Sequence, residues 1–368
     1  MVNHVKNVKK HRGLWWKIPL AVIVTLVLIV LGYLLYVIMS YNRIEDQQPL
    51  IVEGTATQKF LSTEQAYTAV TYNIGFGAYT PDFTFFMDGG TQSWANSKES
   101  VEHCIRSDVE LLKAQQADFL LLQEVDFDST RSYHVNQAES FRQSFHTMCS
   151  TLAVNYHSPF LFYPLYQPHG ASNAGLLTLS DVQITSGMRY SLPIAESFSK
   201  YLDLDRCFSL QYIPVDGGKK LVLVNVHTSA YGTDGDLQKQ QLTKLFDAMR
   251  QEYDKGNYVV CAGDFNHDFT GNSTTLFNRE VSGEYTWAAP FPDELIPEHF
   301  VKLTNYTGGT PVPSCRNCDK PYGKDCFTLI VDGFIVSDNV RVTYMDILDN
   351  GFAYSDHNPV KLTFSLSK

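Results

Sequence analysis

The stretch Tyr258–Asn266, YVVCAGDFN, decides the fold. An unbroken apolar run with adjacent valines reads as a strand buried on both faces. It then breaks into Gly263, Asp264 and Asn266, residue types that favour turns. A carboxylate at the end of a buried strand costs free energy unless it is paired or binds a metal. Upstream, Leu242, Leu245, Phe246 and Met249 recur at helical spacing. Before them comes another strand, LVLVNVHTS (221–229), which holds His227 near its end. Strand, helix and strand in succession predict a layered α/β arrangement.

The alternation extends in both directions. Tyr67–Asn73 reads as a strand. Residues 97–116 read as a helix, with Val101, Ile105, Val109 and Leu112 on one stripe. Asp118–Val125, DFLLLQEV, is a buried strand. Phe141, Phe145, Met148 and Leu152 suggest a further helix. NAGLLTLS (173–180), TLIVDGFIVS (328–337) and PVKLTFSL (359–366) read as strands. No internal repeat or low-complexity block interrupts them. Residues 278–327 carry six of the 15 prolines and three of the seven cysteines. They read as an irregular surface insertion near a site, not as a second domain.

Nearly every apolar strand ends in a carboxylate, an amide or a histidine. Asn73 closes the first and Gln123-Glu124 the second. His227 follows LVLVNV, and Asp264 and Asn266 follow VVCAG. Asp332 interrupts LIVDGFIV, and Ser355-Asp356-His357-Asn358 precedes the last strand. Each of these alone has a plain structural explanation: a turn, a surface strand end, a core histidine. Their recurrence at one strand after another argues for a shared polar site.

Composition narrows the class. The 368 residues are 44% hydrophobic and 18% charged, which supports a sizeable core and excludes a mainly disordered chain. Residues 1–43 carry six basic and no acidic side chains. With the whole chain at −10, residues 44–368 carry −16. A domain so acidic is a poor general binder of a phosphate backbone, so tight nucleic-acid binding is not expected, although a local basic groove stays compatible with it.

Residues 18–42 hold no charge and are largely aliphatic, with Trp15, Trp16 and Tyr41 at the edges. A bilayer-spanning helix needs about 20 apolar residues, and aromatic residues favour its interfaces. A cleaved signal peptide has a shorter apolar region ending in small residues, unlike the exit YVIMSY here. The expected organisation is a cytosolic basic segment at 1–17, a single-pass membrane helix at 18–42, a polar tether at 43–65 and a catalytic domain at 66–368. Basic residues before the span and acidic ones after it place the domain outside the cytosol, extracellular or lumenal.

Asn73, LLLQEVD (120–126), NVHTSAYG (225–232), AGDFNHD (262–268), VDGFIVS (331–337) and SDHNPV (355–360) together resemble the endonuclease/exonuclease/phosphatase superfamily. The resemblance covers about residues 66–367, with the motifs in family order. It implies a four-layer α/β sandwich, with two packed sheets between helices, and water attack on a phosphoester. It also implies Mg²⁺, with Mn²⁺ as a substitute, held by Glu124, Asn73 and Asp356. Hard oxygen ligands suit such an ion. His357 is then the general base, oriented by Asp332, with Asp264 as a rival base. Asp264 and Asn266 orient water or phosphoryl oxygens, and His227 donates to phosphate or protonates the leaving oxygen. Asn173 falls where family members often place an amide. Arg131 can pair with a phosphate in a bidentate fork or form a salt bridge to Asp126 or Asp128.

Cys315, Cys318 and Cys326 suggest either a zinc site short of a fourth ligand or a disulfide in the insertion. The functional readings that remain are a membrane-tethered phosphoesterase for a lipid headgroup or small phosphoester, an anchored nuclease, and a non-catalytic binding module. The last requires lost catalytic groups, and no expected group is missing.

Overall fold

The computed structural model describes residues 16–195, 205–230, 235–277, 287 and 289–368. Residues 1–15 of the basic segment, Tyr231 and Gly232 of the histidine motif, and residues 278–286 and 288 of the expected insertion lie outside them. The chain divides into two compact units, Met1–Asn42 and Arg43–Lys368. The first contains helix α1 (Lys17–Ser40), whose 24 residues are long and apolar enough to cross a membrane. A signal sequence satisfies the same criteria.

The second unit is built on two mixed sheets. One runs in the order β1 (Gln48–Leu50), β6 (Ser186–Ser191), β7 (Cys207–Pro214), β8 (Lys220–His227), β9 (Tyr258–Asp264), β13 (Asp332–Ser337) and β10 (Phe300–Lys302). The other runs β14 (Val340–Ile347), β15 (Val360–Leu366), β2 (Ala66–Asn73), β3 (Phe119–Asp126), β5 (Asn173–Ser180) and β4 (Cys149–His157). A two-stranded ribbon, β11 (Cys315–Arg316) and β12 (Thr328–Leu329), completes the strands.

Each sheet contains one parallel pair joined by a helical crossover. Helix α2 (Lys98–Ala114) joins β2 to β3, and α4 (Gly235–Asp254) joins β8 to β9. Ser97 caps α2 by accepting from Ser100 N at 3.1 Å, which satisfies an otherwise orphaned amide. The stripe Val101, Ile105, Val109 and Leu112 is buried in one cluster with Val70, Tyr72, Leu120 and Leu122. Leu242, Leu245, Phe246 and Met249 of α4 join a second cluster with Val259 and Val260 of β9. That cluster also holds Tyr67, Phe119 and Phe364, with ring centroids 6.2–6.3 Å apart. The order helix, sheet, sheet, helix is the expected four-layer sandwich.

Parallel strands joined by a crossover end on the same side. Asn73 pairs with Gln123, and His227 with Asp264, so both pairs finish at one edge. Asp264 also lies opposite Asp332 on β13. Buried amides bridge the sheets just below that edge. Gln123 Nε2 donates to Asn225 Oδ1 at 2.7 Å, and Asn225 Nδ2 donates to Thr178 Oγ1 at 3.1 Å. Buried polar groups bonded in this way fix one packing of the sheets.

Three expectations are corrected. Residues 43–65 are not a tether: β1 pairs with β6, Ala56 and Leu61 are fully buried, and Lys244 holds Asp46 at 2.5 Å. Met148 and Leu152 do not continue a helix. Helix α3 (Gln137–Ser144) stops, and β4 runs over Cys149–His157, where cross-strand bonds to β5 outweigh the helical spacing. The described part of 278–327 is not a surface insertion, because β10 extends the larger sheet and Ser314, Arg316 and Cys318 are buried.

Candidate active site

Asn73 sits at the centre of the polar cluster. Its Nδ2 donates to Glu124 Oε1 at 3.3 Å and to Asp264 Oδ2 at 3.1 Å, and lies 3.4 Å from His357 Nε2. Its Oδ1 accepts from Gly75 N at 3.0 Å, which fixes the direction of the amide. Glu124 owes its position to a backbone irregularity. The β3–β5 register shifts between Leu122 and Val125, and Glu124 has φ 55°. Such a bulge redirects a side chain that regular alternation would place elsewhere.

Asp264 and the two histidines are packed together. His227 Nε2 lies 3.3 Å from Asp264 Oδ2, and His357 Nε2 lies 3.8 Å from the same oxygen. His357 Nδ1 is 2.7 Å from Asp332 Oδ2, which also accepts from Ser314 Oγ at 2.8 Å. All four side chains are buried. Asn266 N donates to Asp264 Oδ1 at 2.9 Å, and Asn266 Nδ2 donates to Thr228 O at 2.9 Å. Sequence reasoning missed Ser314, whose signal was hidden in a proline-rich segment.

Burial shifts these groups in different directions. It pushes Asp264 up to about 7; His357 opposes this and Asp332 adds to it. Burial pulls His357 down, yet Asp332, Cys315 and Asp356 beside it hold the imidazole well above its ordinary range. Burial, with Arg206 and His357 adding, drives His227 well below. Burial thus disfavours the charged forms of Asp264 and His227, while the carboxylates beside His357 favour its cation.

The residues fit a hard divalent cation. Burial raises Asp356, His357 opposes the rise, and Glu124 adds to it as a second negative charge nearby. Among the described residues no Lys or Arg forms an ion pair with either carboxylate. Arg316, which acts on Asp356 from a distance, has its Nη2 bonded to Thr80 O at 2.9 Å. Glu124 and Asp356 are acceptor-only oxygen donors, while Asn73 turns its amide nitrogen toward Glu124 and its oxygen to Gly75 N. The ligand atoms of Asp264, Asp332 and His357 also lie within 4.8 Å of one another, a second grouping able to take a metal. The 2.7 Å bond between Asp332 and His357 favours a proton relay at that second position.

Arg131 lies at the rim. Its Nε and Nη2 fork onto Asp126 at 3.1 and 2.8 Å, and its guanidinium lies 3.9 Å from the centroid of the Phe76 ring. This is the salt-bridge arrangement, with the fork occupied by a carboxylate. Asn173 Nδ2 donates to Asp128 O at 3.0 Å, one strand away from Glu124. Cys315, Cys318 and Cys326 are all free thiols and buried. Cys318 Sγ lies 3.7 Å from Asp356 Oδ2.

The strand ends thus gather carboxylates, amides and two histidines at one edge of a two-sheet sandwich. The chain belongs to the Endonuclease/Exonuclease/phosphatase family, whose pattern matches residues 70–357. Solved structures share the fold. An endonuclease/exonuclease/phosphatase from Beutenbergia cavernae DSM 12333 aligns with TM-score 0.55 and 16% identity, over 83% of this chain and 72% of that one. Its counterpart from Bacteroides vulgatus aligns with TM-score 0.51 and 16% identity, over 83% and 100%. ANGEL2, a 2′,3′-cyclic phosphatase, aligns with TM-score 0.52 and 14% identity, over 89% and 100%. No curated protein matches the chain.

Proposed function

We propose that this protein is a membrane-anchored, Mg²⁺-dependent phosphoesterase that hydrolyses a phosphodiester or phosphomonoester outside the cytosol. The observation that carries the reading is the buried cluster in which Asn73, His227 and His357 lie 3.1, 3.3 and 3.8 Å from Asp264 and His357 meets Asp332 at 2.7 Å. Glu124 and Asp356 would hold the cation, with Asn73 beside them and Mn²⁺ as a substitute. When bound, the cation neutralises charge that builds on the phosphoryl oxygens.

Asp264 takes the proton from the attacking water in this reading. Its carboxylate is held near neutrality and its orientation is fixed by Asn73 and Asn266. His357, kept cationic by Asp332, donates from Nε2 to the negative phosphoryl group. This reverses the order of preference drawn from sequence, where His357 was named first as base. His227, kept neutral, supplies a hydrogen bond to a phosphoryl oxygen or to Asp264, and Asn266 orients the water. Asn173 lies on the strand beside Glu124 and is the remaining candidate for a substrate contact, since the Arg131 fork is taken by Asp126. The apolar helix α1 supports anchoring, and the basic residues preceding it support a cytosolic N-terminus.

A panel assay of the full chain with Mg²⁺ tests the reading. Plasmid DNA, RNA, phospholipid vesicles and a nitrophenyl phosphodiester are compared. Turnover of the nitrophenyl ester is expected. Preferred cleavage of DNA or RNA would select the anchored nuclease, and no cleavage of any phosphoester would reject the proposal.

A further inference from the structure

The loop between β4 and β5 includes SPFLFYPLYQP, residues 158–168, without one charged side chain. Leu165 is 84% exposed, Tyr163 71% and Tyr166 69%. On the neighbouring segment Met87 is also exposed, and the Phe86 ring lies 5.8 Å from the Tyr163 ring. Single exposed apolar residues are ordinary, but a contiguous uncharged group on one loop marks a contact surface.

The loop is closed by its own hydrogen bonds. Leu161 and Gly170 exchange both backbone bonds at 3.0 Å, and Gln167 N donates to Pro164 O at 3.1 Å. Trp94 Nε1 donates to Pro168 O at 2.7 Å, and Tyr166 Oη donates to Thr91 O at 2.6 Å. These bonds give the loop a defined shape, while Tyr163, Leu165 and Tyr166 stay exposed. Such a surface suits a lipid interface, where tyrosines favour headgroup depth and aliphatic side chains the apolar side.

The loop also stands at the rim of the site. It rejoins the sheet at Asn173, and Ala174 pairs with Asp126, two residues past Glu124. Thr130 N donates to Ala171 O at 2.8 Å, which ties the loop base to the segment carrying Arg131.

We propose that this loop is a lipid-interface contact that seats the site on a bilayer, and that the substrate is the phosphoester of a lipid headgroup. The substrate half rests on the phosphoesterase reading above. Residues 158–168 offer no cation to a nucleic-acid backbone, and the nearby Arg131 is bound to Asp126. Only Tyr41 and Asn42 lie between the end of α1 and the first residue of the folded unit. In an anchored chain, the bilayer is then the apolar surface at the highest effective concentration.

The test uses the full chain in vesicles of phosphatidylcholine, phosphatidylglycerol, phosphatidylinositol and sphingomyelin. An environment-sensitive fluorophore is attached at Leu165→Cys, the native cysteines being buried, and a control at Lys219→Cys in the exposed β7–β8 turn. Nitroxide-labelled lipids are expected to quench the first probe at least threefold more than the second. Equal quenching would overturn the lipid contact and assign the surface to a protein partner or a second copy. In parallel, Tyr163→Ser/Leu165→Ser should lower headgroup release from the vesicles at least tenfold and leave hydrolysis of a soluble nitrophenyl diester within twofold. A quenched probe with soluble turnover but no headgroup release would keep the contact and overturn the lipid substrate. Loss of both activities in the wild type would reject the phosphoesterase reading, while quenching alone would still decide the contact.

Discussion

Gly263 lies where the two halves of the proposed site meet, and Gly263→Ala should damage both stability and activity. It pairs with Val226 on β8, one position before the pair His227 and Asp264. A Cβ built there would sit 1.9 Å from Val226 O, and φ is +152°. Contacts below about 3 Å do not persist, so β9 would have to move away from β8 by roughly 1 Å. Two weakened ladder bonds at about 1 kcal/mol each, plus backbone strain of about 1–3 kcal/mol, give a loss of about 3–5 kcal/mol. At about 2–4 °C per kcal/mol, Tm should fall by about 10 °C. The same displacement would stretch the 3.3 Å contact between His227 and Asp264. A misplacement of 1 Å can cost about 10²-fold in rate. Gly217 is the control: its φ is +89° but a Cβ there meets open space. Gly217→Ala should cost about 1 kcal/mol and leave turnover intact. The assay is thermal unfolding with kcat on a nitrophenyl phosphodiester. A Gly263→Ala protein within 2 °C and threefold of wild type would refute the reasoning.

Other outcomes follow from the same geometry. His227→Ala should impair a substrate with a poor leaving group and a nitrophenyl ester equally, because a neutral His227 does not protonate the leaving oxygen; a selective loss on the poor leaving group would restore the general-acid role. Asp332→Asn should lower kcat by about 10²-fold or more without changing KM, since it removes the charge that keeps His357 cationic; unchanged kcat would remove Asp332 from the relay. Burial, with Arg131 adding, lowers His169 to about 3, so the unfolded chain takes up this proton first. The stability His169 contributes is therefore complete above about pH 6.5 and is lost as pH falls towards 3, by about 1.4 kcal/mol per unit. His169→Phe should flatten that acid limb in denaturant titrations, and an unchanged slope would contradict it. Protease added outside intact cells should release the domain, and full protection would reject the proposed orientation.

Much of this was legible because buried strands announce themselves. β2, β3, β5, β8, β9 and β15 are apolar runs, and their terminal polar residues converge because parallel pairs end together. β6, SGMRYS, was silent because half of it is polar, with Arg189 buried by donating to Val154 O and Asp205 O. β7, CFSLQYIP, carries Ser209 and Gln211 inward, where Gln211 reaches Thr151 across the sheets. Such polar core positions look like surface in a sequence. The packing of 43–65 was hidden because its partners are far away in the chain: Ser191 and Lys244, which hold Asp46, lie 145 and 198 positions on. Tertiary pairing also decided Arg131, for which sequence alone left phosphate and carboxylate equally open.

The claim that the strand-end cluster is a phosphoesterase centre is tested most directly with Asp264→Asn. The substitution keeps the shape of the side chain and can still accept from Asn266 N, but it removes the basic oxygen. The measurement is kcat on a nitrophenyl phosphodiester in Mg²⁺ for wild type and variant, with equal Tm confirming the fold. A loss of about 10²-fold or more is predicted, together with abolition of wild-type turnover by EDTA. Turnover within twofold of wild type in the Asp264→Asn protein would contradict it.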